Sequence, residues 1–119
     1  MEIFKRFQFD AAHFLPCVSS GHKCAQMHGH SFRVEIHVQG GIDPHTGWVM
    51  DFAEIAAAFE PIRRQLDHKN LNDIEGLENP TSENLCRWIW LRLEDRLPQL
   101  SRVMVQESPE SGCIYDGRD

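Results

Sequence analysis

The sequence has no apolar run near the ~20 residues that a membrane-spanning helix requires. Its opening segment, MEIFKRFQFDAAH, also lacks the apolar core and the small-residue cleavage site of a secretory signal peptide. From these absences we expect a cytoplasmic protein without a membrane partner. The length of 119 residues predicts a single domain that spans residues 1–119.

Cysteine pairs of the CxxC type are absent, and the four cysteines stand singly at positions 17, 24, 86 and 113. A disulfide framework is typical of small secreted chains, so we do not expect one here.

Basic residues are also in the minority. There are 12 Lys and Arg against 18 Asp and Glu, which gives a formal net charge of -6. Because nucleic-acid-binding domains usually carry a basic patch, we expect no nucleic-acid partner. The net charge does not exclude a small anionic substrate, since a few local cations are enough to bind one.

The periodicity of apolar residues predicts the order strand, strand, helix, helix, strand, strand. The strands cover residues 2–13, 28–39, 101–107 and 113–115. The helices run from Phe52 to about Leu66 and from Thr81 or Ser82 to about Leu97, and Pro61 is expected to kink or divide the first. Runs of strands separated from a run of helices favour an α+β fold, an antiparallel sheet with helices on one face.

Three histidines share the apolar faces of the first two strands. His28 and His30 form an HxH pair, and alternate residues of a strand point the same way. His13 ends the apolar face of the first strand, so the three imidazoles converge if the two strands pair. A site with three histidine ligands and one open coordination position is typical of catalytic zinc. Two alternatives stay open: ordinary hydrogen-bonded histidines, and a closed structural site that adds Cys24.

Other polar residues are candidates for proton transfer or ligand binding. Cys24 follows His22 and Lys23, and nearby positive charge favours a thiolate, although a buried inert thiol is the commoner fate of a cysteine. Asp67 precedes His68, and an adjacent carboxylate can fix a histidine tautomer. Glu107 ends the otherwise apolar face of Val103 and Val105, where it meets either a ligand or solvent. By periodicity His37 lies on the solvated face of the second strand.

Six segments in order resemble one family, the 6-pyruvoyl-tetrahydropterin synthase family. They are FDAAH at 9–13, CAQMHGHSF at 24–32, DPHTGWVMDF at 43–52, LDHKNLN at 66–72, NPTSENL at 79–85, and a late glutamate followed by GCIY at 112–115. The resemblance implies the tunnelling fold, a four-stranded antiparallel sheet with two helices on one face. It also implies a homohexamer built as a dimer of trimers, with active sites between subunits.

The same resemblance implies roles for individual residues. Zinc would be held by His13, His28 and His30, while Cys24, Asp67 and His68 would move protons. The pterin ring would be bound by Glu107, Thr81 and Ser82.

The short spacing in CAQMHGH is similar to that of the carboxy-forming members in queuosine biosynthesis. The implied reaction converts 7,8-dihydroneopterin triphosphate to 6-carboxy-5,6,7,8-tetrahydropterin, acetaldehyde and triphosphate. The alternatives are the pyruvoyl-forming synthase, which eliminates triphosphate without breaking a carbon–carbon bond, and a non-catalytic, zinc-stabilised oligomeric module.

Overall fold

The computed structural model describes all 119 residues and has the α+β architecture that the sequence predicts, with two helices on one face of a sheet. Its elements are β1 (Glu2–His13), β2 (His28–Gln39), α1 (Phe52–Leu66), β3 (Lys69–Asn70), α2 (Ser82–Leu93), β4 (Leu100–Ser108) and β5 (Ser111–Tyr115). Neither helix is long and apolar enough to cross a membrane.

The long strands β1 and β2 pair antiparallel along their whole length, from Glu2 opposite Gln39 to His13 opposite His28. Residues directly opposite each other in such a pair project from the same face of the sheet. The predicted alternation is therefore confirmed, because Phe9 opposite Phe32 is buried in the core and His13 stands beside His28.

The sheet is not the four-stranded antiparallel one that the resemblance implies. It has five strands in the order β3-β1-β2-β4-β5, and it is mixed because β3 runs parallel to β1. The sequence predicts four strands and none in this polar segment, which lies in the loop after α1. The loop becomes a short strand because its backbone is tied to the edge of β1: the His68 amide donates to the Asp10 carbonyl at 2.6 Å, and the Asp10 amide donates to Asp67 Oδ1 at 3.0 Å.

Both helices begin where the sequence predicts, but the second ends earlier. Thr81 Oγ1 accepts from the Asn84 amide at 3.1 Å and caps α2, a common way to satisfy the free amides of a first turn. The helix stops at Leu93 rather than Leu97, because the amides of Arg96 and Leu97 both bond the Leu93 carbonyl in a tight turn. Helix α1 continues through Pro61, so the expected division does not occur.

The core lies between the sheet and the two helices. Strand residues such as Val34 and Val105 face helix residues such as Phe59 and Ile89, all fully buried. His13 is the one buried residue with a polar side chain. Burying an imidazole is costly unless its nitrogens find partners, so the end of this core is where a functional site is expected.

Candidate active site

The structure brings three imidazoles together at the end of the β1–β2 hairpin that adjoins its connecting loop. Their ring centroids are 4.7 Å apart for His13 and His28, 5.1 Å for His13 and His30, and 4.8 Å for His28 and His30. One nitrogen from each ring lies within 4.8 Å of the other two. This spacing results from the strand register, which sets His13 opposite His28 and keeps His28 and His30 on one face.

Backbone carbonyls fix the tautomers of two of these rings. His13 Nδ1 lies 2.8 Å from the Pro80 carbonyl and His28 Nδ1 lies 2.7 Å from the Gln26 carbonyl. A carbonyl only accepts, so each Nδ1 carries the proton and each Nε2 keeps a free lone pair. Metal-binding histidines usually use their second nitrogen in this way.

Two of the ring nitrogens in this cluster have no hydrogen-bond partner within the protein. Nε2 of His13 and Nε2 of His30 are both buried without a hydrogen bond. Burial lowers the pKa of His13 and of His30 below the ordinary histidine value, because the charged form loses its hydration. Neutral, unpartnered imidazole nitrogens that face one another fit a divalent metal ion, which needs deprotonated ligands.

Glu107 lies beside the imidazoles at this end of the sheet. Its Oε1 accepts a hydrogen bond from Ser82 Oγ at 2.8 Å, and its Oε2 lies 3.6 Å from His30 Nε2. The side chain is 29% exposed, so the carboxylate sits beside the histidines rather than reaching into solvent. It lines a cleft of about 300 Å³ with Ser82, Glu83, Ser111, Gly112 and Cys113.

Cys24 lies in a 3-10 turn, Lys23–Ala25, in the loop between β1 and β2. The turn is held by its backbone: the Cys24 amide donates to His22 Nδ1 at 3.0 Å, and its carbonyl accepts from the Leu15 amide at 2.8 Å. The group of mutually close ligand atoms comprises the three imidazoles and not the Cys24 thiol. The closed four-ligand site is therefore not formed in this structure.

Asp67 and His68 contact each other although they are neighbours in sequence. His68 adopts a left-handed backbone conformation with φ 59°, and its Nδ1 lies 3.1 Å from Asp67 Oδ1. The amide of Asp10 is the main cause of a lowered pKa for Asp67, and Arg63 adds a further bond at 3.1 Å. No hydrogen bond or ion pair joins this pair to the three imidazoles of the same chain, and the His68 side chain is 77% exposed.

Sequence reasoning missed the carbonyls of Gln26 and Pro80, which orient two of the imidazoles. Residue types carry no signal for a backbone acceptor, although Pro80 lies within the NPTSENL segment. Of the predicted residues, the structure thus groups His13, His28, His30, Glu107 and Ser82. Cys24 and the Asp67–His68 pair have no hydrogen bond or ion pair with that group, and the Thr81 hydroxyl is engaged as the cap of α2.

The family model for 6-pyruvoyl tetrahydropterin synthase matches residues 2–118. The chain belongs to this family. It is 42% identical to 6-carboxy-5,6,7,8-tetrahydropterin synthase of Synechocystis, with 95% of this chain and 91% of the relative covered. It is 37% identical to dihydroneopterin monophosphate aldolase of Pyrococcus furiosus, with 92% of each covered. Among solved structures, 6-pyruvoyl tetrahydropterin synthase of Caenorhabditis elegans superposes with a TM-score of 0.91 at 26% identity, over 99% of this chain and 96% of that one.

Proposed function

We propose that this chain is a zinc-dependent lyase that converts 7,8-dihydroneopterin triphosphate to 6-carboxy-5,6,7,8-tetrahydropterin, acetaldehyde and triphosphate. The observation that carries the proposal is the pair of buried, unpartnered Nε2 atoms of His13 and His30 beside the Glu107 carboxylate. Such a set suits a metal ion and a polar substrate together. The identity to the Synechocystis synthase over nearly the whole chain supports the choice of substrate.

Zinc bound to His13, His28 and His30 would polarise the oxygens of the substrate side chain and make its hydroxyl groups more acidic. Imidazole ligands suit several divalent ions, and an open three-histidine site is common for catalytic zinc. The Pro80 and Gln26 carbonyls hold two of the rings in the tautomer that presents Nε2.

Glu107 would anchor the pterin ring. Its two oxygens match the two parallel N–H donors of the pterin amino group and the adjacent ring nitrogen, a geometry that favours charge-assisted bidentate bonds. Ser82 holds the carboxylate in place through Oε1. Thr81 accepts from a backbone amide, so its hydroxyl proton is left to donate to the ring.

Cys24, Asp67 and His68 would move protons to and from the substrate side chain. We infer that Asp67 and His68 serve the site of a neighbouring subunit, because His68 is exposed at the edge of β1 while its ring is held by Asp67.

The assembly we propose is a hexamer made of two trimers. Exposed apolar side chains outside the core, such as Phe4 and Ile114, support burial against other subunits.

The same proposal includes a cytoplasmic location and a place in queuosine biosynthesis. The location rests on the four cysteines, all of which are free thiols as is usual in a reducing compartment, and the pathway rests on the similarity of the CAQMHGH segment to the carboxy-forming members.

Product analysis tests the function. Metal-loaded protein is incubated with 7,8-dihydroneopterin triphosphate, and the pterin and the acetaldehyde are quantified. We expect equal amounts of 6-carboxy-5,6,7,8-tetrahydropterin and acetaldehyde, no turnover by His13→Ala, and normal turnover by His45→Ala, which changes an exposed loop histidine. A pyruvoyl product without acetaldehyde would replace the proposal by its alternative. A parallel incubation with 7,8-dihydroneopterin monophosphate tests the aldolase activity that the Pyrococcus relative is named for.

A further inference from the structure

Two thiols that the proposed mechanism does not use lie against each other between α2 and β5. Sγ of Cys86 and Sγ of Cys113 are 3.2 Å apart. A disulfide needs about 2 Å, so closure requires roughly 1 Å of approach. We propose that Cys86 and Cys113 form a peroxide-sensitive thiol pair that closes to an intramolecular disulfide.

The two sulfurs are not equivalent. Cys86 is 1% exposed, and it is also near the carbonyls of Val103 and Cys113 at 3.6 and 3.7 Å. Cys113 is half-buried and lines the cleft that also contains Glu107 and Ser82. An oxidant that enters this cleft meets Cys113 first.

Hydrogen bonding between the two thiols also indicates that Cys113 is the sulfur that reacts with the oxidant. The hydrogen bond between the two sulfurs lowers the pKa of Cys113 and, together with burial, raises the pKa of Cys86. Cys113 faces the cleft and forms a thiolate more readily than the buried Cys86, so Cys113 attacks and Cys86 is the resolving thiol.

The oxidant in this step is hydrogen peroxide. The Cys113 thiolate attacks one peroxide oxygen, the O–O bond breaks, and hydroxide leaves, which gives a sulfenic acid at Cys113. The Cys86 sulfur then attacks the Cys113 sulfur, its proton goes to the departing oxygen, and water leaves. The thiol pair loses two electrons, and the peroxide is reduced to water and hydroxide.

The bond would lie in the wall of the proposed pterin pocket. Cys86 belongs to the same helix as Ser82, and Cys113 follows Gly112 in β5. The strand is tightly seated there, because a side chain at Gly112 would come within 2.8 Å of the Val105 carbonyl. The helix and the strand already pack together, so closure ties two neighbouring elements without a change of fold.

The test treats the whole metal-loaded protein with one to a few equivalents of hydrogen peroxide, alkylates free thiols, and digests with trypsin without reduction. We expect one linked species that joins fragments 70–87 and 103–118. Its parent protein is monomeric on a denaturing non-reducing gel and lighter by two hydrogens. Dithiothreitol should release both fragments. The readout is independent of catalysis, so it stands or fails separately from the proposed function.

Cysteine variants test which two thiols form the disulfide. Cys113→Ala should abolish the linked species, while Cys17→Ala, at an exposed thiol, should leave it unchanged. Circular dichroism establishes that Cys113→Ala is folded, and Cys113→Ser serves as its replacement if it is not. The proposal is overturned if peroxide oxidises Cys17 or Cys24 while Cys86 and Cys113 remain alkylatable after unfolding. A link between two copies of the chain overturns it equally.

Discussion

Glu107 Oε2 lies 3.6 Å from His30 Nε2, while Glu107 Oε1 is held by Ser82. The carboxylate therefore sits where it would bind the proposed substrate beside a metal ion that the three histidines would hold. Glu107→Gln keeps the size of the side chain but loses the charge and one of its two acceptors. A hydrogen bond to a charged group contributes about 1.5–3 kcal/mol, so we expect kcat/KM to fall by roughly 10- to 100-fold.

Metal analysis of the same Glu107→Gln protein separates substrate binding from metal binding. The metal content should match that of the unchanged protein, because the three imidazoles are intact. Glu110→Gln, in the exposed turn between β4 and β5, is a matched control and should leave both quantities unaltered. Loss of metal from Glu107→Gln alone would show that the carboxylate is a ligand.

Thr81 and Ser82 are adjacent hydroxyls with different bonds, which makes them a useful pair of variants. Thr81→Ala removes the acceptor for the Asn84 amide, and we expect it to lower the free energy of unfolding by about 1 kcal/mol. Ser82→Ala removes the bond to Glu107, and we expect a raised KM with a smaller change in stability. Denaturant unfolding and steady-state kinetics measure the two effects. Because the Thr81 hydroxyl is also proposed to donate to the pterin, KM should rise for both variants, and an equal loss of stability in the two would contradict the assignment of the cap to Thr81.

Asp67 holds His68 through a 3.1 Å contact, and the Asp10 amide lowers the pKa of this carboxyl and so favours its charged form. Asp67→Asn retains an acceptor for the Asp10 amide but removes the charge that orients the imidazole. We expect kcat to fall by about 10²-fold or more, the usual scale for a lost acid–base group. Arg63→Gln breaks another contact of the same carboxylate and leaves His68 in place, so its kcat should change only a few-fold. A larger loss in Arg63→Gln than in Asp67→Asn would refute the relay.

The strands and the imidazole cluster could be predicted because both follow from the alternation of apolar and polar residues along each strand. A register that sets His13 opposite His28 is the simplest closure of two strands with matching apolar faces. The pairing of Lys69 and Asn70 with β1 could not be foreseen, since it depends on backbone bonds made by Asp10 rather than on residue type. The early end of α2 at Leu93 has a similar cause, because apolar spacing continues to Leu97 while the backbone has already turned.

His37 shows where periodicity misleads. It points away from the helix-covered face, as predicted, but it is not solvated: its Nε2 lies 2.9 Å from Glu35 and its Nδ1 lies 3.4 Å from Glu2. Glu35 of its own strand covers it together with Glu2 and the stacked Phe4 ring of β1. A single-strand pattern identifies the face of a residue but not what the adjacent strands place over that face.

Glu2 provides a test of acid stability. The guanidinium of Arg102 is the main reason that the pKa of Glu2 lies at about 2, below the ordinary 4.5. A carboxylate whose pKa is lower in the folded state stabilises the fold above the unfolded pKa, and that stability is lost as the pH falls through the folded pKa. We expect Glu2→Gln to have a lower Tm than the unchanged protein at pH 7. The difference should shrink between about pH 4.5 and pH 2. A Tm difference that does not vary with pH would contradict this assignment.

The most direct measurement of the central claim is the metal content and the turnover of Cys24→Ala, determined on one preparation. Cys17→Ala, in the same loop, is the control. If three imidazoles hold the metal and Cys24 moves protons, Cys24→Ala retains the full metal content while its turnover of 7,8-dihydroneopterin triphosphate falls by about 10²-fold or more. Loss of the metal together with the thiol would make Cys24 a fourth ligand and would contradict the account of an open catalytic site.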